Sequence, residues 1–98
     1  MRKVSVKRAV ELAEYKIRLQ NLLEVSDNLT DISKVRVEDC HHIDGREGKK
    51  VYDVFNMYLC TRAEHDYEGA HHNFERIQEL KAKVRAIRLK QGFEEPKS

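Results

Sequence analysis

The sequence predicts an α+β domain: a short β-hairpin and a capped helix at its centre, with an N-terminal amphipathic helix before them and a long basic C-terminal helix after them. Three observations predict it. Apolar residues recur at spacings of three and four near both ends of the chain, two short apolar runs of strand length lie in the middle, and Thr61-Arg62-Ala63-Glu64 has the residues of a capping box.

From Val4 to Leu23 the residues Val6, Val10, Ala13 and Ile17 form a helical stripe, broadened by Leu22 and Leu23. Ser26, Asp27, Asn28 and Asp31 end it, because their short polar side chains compete for backbone hydrogen bonds. Val35 and Val37 alternate with charged neighbours and predict a first strand running toward Cys40. Ile43 to Lys50 contains Asp44-Gly45 and Gly48 and is a loop, and Met57 to Cys60 is a second strand. A helix starts near Arg62, with Gly69 expected to end or kink it. Phe74, Ile77, Leu80, Val84 and Ile87 then mark a helix up to Gln91-Gly92, and the tail Phe93 to Ser98 carries Pro96 and is expected to fray.

A chain of 98 residues has room for one domain, so 1–98 is read as a single unit: helix in 1–30, hairpin and capped helix in 35–72, C-terminal helix in 73–92, tail in 93–98. No apolar run is long enough to cross a bilayer, and charges interrupt the N-terminus before any signal-peptide core forms, so a soluble cytoplasmic protein is expected. Cys40 and Cys60 are too few for a disulfide framework and read equally well as small buried hydrophobes. A net charge of +2 does not mark a nucleic-acid binder, but its distribution is uneven. Lys81, Lys83, Arg85, Arg88 and Lys90 contain no acid among them, and Arg2, Lys3, Lys7 and Arg8 open the chain. Such runs read either as solvated helix faces or as grips on a phosphate backbone.

The polar residues sit at the joints of this plan. Cys40-His41-His42-Ile43-Asp44-Gly45 ends the first strand, Asn56 precedes the second, and Cys60-Thr61-Arg62-Ala63-Glu64-His65 enters the helix. In this order they resemble the HNH endonuclease family, including the DNase domains of colicins and the nucleases of phages and mobile elements. The resemblance covers Val35 to His72 and leaves out the first helix and the basic C-terminal stretch. It implies a ββα-metal fold and a metal-dependent endonuclease cutting DNA, or RNA, in a bacterial or phage-infected cell.

The chemistry of that family explains the residue types. Breaking a phosphodiester needs a base for the attacking water and positive charge for the developing anion. The resemblance implies that His42 is the base, that His41 and His65 offer imidazole nitrogens to a divalent ion (Mg²⁺, Mn²⁺, Ni²⁺ or Zn²⁺), and that Asn56 holds the loop and orients His42. Arg62, at the helix start, is an anion-contact candidate. Colicin-type members carry a further His four residues after the helical one, where this chain has Gly69. Glu68, His71 and His72 are the candidates to replace it, and with two ligands alone a weakly held Mg²⁺ is favoured over Zn²⁺. The family's paired CxxC zinc sites are absent.

The basic residues Lys81, Lys83, Arg85, Arg88 and Lys90 are expected to grip DNA without reading sequence, so base choice would need a homodimer or a larger assembly. Two competing readings remain at this level: a non-catalytic helical interaction protein with a structural metal, and a DNA-binding module whose active site has decayed.

Overall fold

A computed structural model describes residues 5–95 as three helices around a two-stranded antiparallel sheet. Arg2, Lys3, Val4 and Pro96 lie outside the described residues. Helix α1 spans Val6–Val25 and starts where the Ser5 hydroxyl accepts a hydrogen bond from the Arg8 amide at 3.1 Å. Strands β1 (Asp39–His42) and β2 (Met57–Cys60) pair with His41 opposite Tyr58 and His42 opposite Met57. Two short 3₁₀ turns, Gly48–Val51 and Val54–Asn56, shape the segment between them.

Helix α2 (Arg62–Ala70) begins at the capping box expected from the sequence. The Thr61 hydroxyl accepts from the Glu64 amide at 3.1 Å, and the Glu64 carboxylate accepts from the Thr61 amide at 2.9 Å. Gly69 neither ends nor breaks it, since the helix runs one residue further. Asn73 then caps α3 (Phe74–Lys90) by accepting from the Arg76 amide.

The hairpin lies between two apolar clusters because side chains alternate along β2. Tyr58 and Cys60 pack with Ile43, Leu80 and Val84 on one face, and Met57 and Leu59 pack with Leu22 and Val54 on the other. Tyr15, Leu19 and Leu23 of α1 and Cys40 of β1 complete the second cluster. Both cysteines are packing residues: burial pushes the Cys40 thiol up to about 11 and the Cys60 thiol up to about 12.

Three expectations are corrected here. The first helix exists, but most of the expected stripe faces out: Val6 is 83% and Ile17 65% exposed, Val10 and Ala13 are also exposed, and Tyr15 and Leu19 turn inward with Leu22 and Leu23, the part of the stripe that is packed as expected. The larger side chains of that face remove more apolar area from water. The first strand starts four residues after Val35, which is exposed; Val35 and Val37 belong to a tight loop closed by a single bridge between Leu29 and Arg36. In that loop the Thr30 side chain and backbone both bond Val35, and Lys34 takes a left-handed φ of 57°. Third, Arg88 is wholly buried, because it falls four residues after Val84 on the inner face of α3.

Candidate functional site

The alternation of β1 decides where the neighbouring histidines go. Asp39 and His41 share one face of the hairpin, and Cys40 and His42 share the other. His41 turns toward α2, whose capped start places His65 one turn in, and the two imidazole rings lie 4.9 Å apart between centroids. His72, from the turn between α2 and α3, brings its ring to 6.3 Å from that of His41. Burial, and then the proximity of His65, lowers the His41 pKa to about 4, so its ring is neutral near pH 7.

Asp39 is a residue the sequence reading did not select. Its Oδ2 lies 3.4 Å from His65 Nδ1, so the carboxylate favours a proton on Nδ1 and leaves the Nε2 lone pair available. The signal was present: Asp39 stands two residues before His41, the spacing that puts both on one strand face once the strand starts at Asp39.

His42 sits across the hairpin. Its Nε2 lies 3.0 Å from the Val51 carbonyl, which can only accept, so Nε2 carries the proton and Nδ1 holds the lone pair. Nδ1 has no partner among the described residues, and the edge of the Tyr15 ring packs on the imidazole with centroids 5.1 Å apart. Burial lowers the His42 pKa; the Val51 bond opposes this, and the charges of Arg46 and Arg8 lower it further. A neutral imidazole with one fixed N–H and one open nitrogen is equipped to accept a proton.

Asn56 is buried and, among the described residues, makes no hydrogen bond to His42, contrary to the expected orienting contact. Its Oδ1 accepts from the Asp44 amide at 2.8 Å, and its Nδ2 donates to the carbonyls of Gly45 (2.8 Å) and Lys50 (2.9 Å). The effect on His42 is indirect: Asn56 fixes the loop whose next carbonyl, that of Val51, holds the imidazole. A backbone carbonyl has no residue-type signature, so sequence alone could not name that partner.

The remaining candidates separate into free and engaged groups. The Arg62 side chain is 77% exposed and 3.9 Å from Asp39, while the Glu38 carboxylate accepts from its backbone amide at the helix start. Glu68 is buried with both oxygens on Arg76, which removes it as a spare ligand. His71 bonds the Tyr67 carbonyl and stacks on the Tyr67 ring.

The basic stretch of α3 is not a continuous grip on phosphate. Lys81 lies 3.5 Å from Asp44, Arg85 pairs with Glu95, and Arg88 faces the core, leaving Lys83 and Lys90 exposed. Asp44 and Asp31 belong to distant segments and Glu95 to the tail after the helix, so none of these acids lies within the run itself.

For a divalent ion, the donor chemistry fits at His41 and His65: two adjacent imidazoles, one neutral by burial and one backed by a carboxylate. Among the described residues, no group of three or more His, Cys, Asp or Glu side chains is placed to hold an ion. No helix among these residues is long and apolar enough to cross a membrane. Compared with family models, curated proteins and solved structures, the chain matches none.

Proposed function

We propose that this chain is a small metal-dependent endonuclease of the HNH kind that hydrolyses DNA phosphodiesters with low base specificity. One observation carries the reading: imidazoles from β1 and α2, His41 and His65, stand 4.9 Å apart, while His42, on the other face of the hairpin at the end of β1, keeps an open Nδ1. His41 and His65 would hold the ion, which when bound supplies Lewis-acid polarisation of the scissile phosphate. His42 takes the proton of the attacking water at Nδ1, since its Nε2–H is committed to Val51. Asp39 keeps His65 in the tautomer that presents Nε2, and Asn56 keeps the loop, and hence Val51, in place.

Plasmid DNA incubated with the protein and Mg²⁺, Mn²⁺, Ni²⁺ or Zn²⁺, alongside EDTA, tests this. Nicking that needs a metal and disappears in His42→Ala is the expected result. Gly69, where a further ligand would stand in colicin-type members, favours a second reading, a DNA-binding module without turnover. DNA binding with no cleavage under any metal would select that reading and reject the first.

A further inference from the structure

The face of the hairpin that carries His42 is built with α1, which lies outside the segment resembling HNH enzymes. Tyr15 from α1 packs its ring on His42, and the Arg46 guanidinium lies over the other part of that contact, 5.7 Å from the Tyr15 ring centroid. Arg8, in the first turn of α1, donates from Nη1 to the Arg46 carbonyl at 3.0 Å, which ties the helix to the loop that carries Arg46. Two acids are near: Glu11, 3.5 Å from the same Arg8 nitrogen and largely covered, and Glu47, which follows Arg46 in the chain. Arg46 itself forms no ion pair among the described residues and is exposed. Both arginines and Lys7 line a surface hollow of about 380 Å³ at the start of α1, where Glu11 and Glu47 also stand, three cations against two carboxylates.

Two arginines lining one hollow, the first bonded to the backbone of the second and the second without an ion-pair partner among the described residues, suit an oxyanion with several acceptor oxygens. We infer that Arg46 and Arg8 form a phosphate subsite beside His42, which takes a phosphate group of the nucleic-acid backbone and makes α1 part of the substrate surface. The inference deepens the proposed function and rests on it for the identity of the substrate.

The test separates binding from cleavage. A fluorescent DNA duplex is titrated in EDTA with the parent protein, Arg46→Gln, Arg8→Gln/Arg46→Gln, and Lys16→Gln as an exposed control on α1, at several salt concentrations. Each lost phosphate contact should flatten the salt dependence by about one unit in log–log slope, so the double variant should lose about two units and bind roughly tenfold more weakly at low salt. Thermal midpoints check folding, and Arg46→Gln serves alone if loss of the Arg8 bond unsettles α1. Competition by inorganic phosphate, abolished in the double variant, would show that the subsite also takes the free anion. Parent-like affinity and slope in a folded Arg46→Gln and in the double variant would overturn the subsite, even if metal-dependent cleavage persists. Weakened binding in those variants without cleavage by any protein would leave the subsite standing and remove the nuclease reading. Failure of the parent to bind the duplex or phosphate would overturn it outright.

Discussion

Arg88 and Asp31, 57 residues apart in the chain, meet in the interior as a two-pronged ion pair with Nη1–Oδ1 at 2.7 Å and Nη2–Oδ2 at 2.6 Å. Every other guanidinium N–H is also taken, by the carbonyls of Val54 and Met57 and by the Gln91 side chain. Asp31 exchanges two bonds with Leu59, through its amide and through Oδ2, so the pair fastens α3 to the outer edge of β2.

Breaking that pair from one side leaves a buried charge without its counter-ion. Arg88→Met or Asp31→Asn should therefore cost about 3–5 kcal/mol in urea unfolding, a large share of the stability of a domain this size. Removing both should cost less than the sum of the single losses, because neither charge is then stranded. Single variants within about 1 kcal/mol of the parent would show that the pair does not fasten the helix.

Asn56 should act on stability and on His42 together. Asn56→Ala leaves the Asp44 amide and the Gly45 and Lys50 carbonyls without their partner, at a cost of about 2–3 kcal/mol. The freed loop should also loosen the Val51 carbonyl, which nitrogen NMR of His42 would report as a mixture of tautomers. Cleavage should fall more than DNA affinity; an unchanged His42 spectrum in a folded variant would disconnect the loop from the imidazole.

Local features of this fold were legible in the sequence and long-range ones were not. Met57–Cys60 and the Thr61–Glu64 capping box stand where the residues placed them, because a strand run and a cap depend on near neighbours. The inward face of α1 depended on which residues filled the gap over Met57 and Leu59: Leu22 and Leu23 of the expected stripe did, but Val6, Val10 and Ile17 gave way to Tyr15 and Leu19. Arg88 read as an exposed phosphate contact because its partner, Asp31, lies in another segment. Of the candidate site, the order of His41, His42, Asn56 and His65 was visible, whereas Val51, Tyr15 and Asp39 act through geometry that residue types alone do not encode.

Acid should destabilise the metal-free protein through His41. Its folded pKa of about 4 lies below the ordinary value of about 6.5, so the unfolded chain takes up the proton first as pH falls. The contribution is fully present above about pH 6.5 and is lost progressively down to about pH 4, up to roughly 3 kcal/mol in all. Urea unfolding in EDTA at pH 7 and pH 4.5 measures it, and His41→Gln should flatten the difference. An acid loss as steep in His41→Gln as in the parent would assign it to other groups.

Gly69 offers the most direct trial of the two-imidazole site. It is exposed inside α2, its φ is not left-handed, and a Cβ built there meets nothing within 4 Å, so the position admits a side chain without strain. Gly69→Ala should stabilise the protein by about 0.5–1 kcal/mol, since glycine inside a helix loses more backbone freedom on folding. Gly69→His places an imidazole four residues after His65 on the same helix face, next to the ring pair it forms with His41. If those two rings hold a cation, the third donor should tighten Co²⁺ or Zn²⁺ binding in calorimetry relative to Gly69→Ala, and His41→Gln should reverse the gain. Equal metal affinity in the alanine and histidine variants would argue that His41 and His65 stand together without serving as ligands.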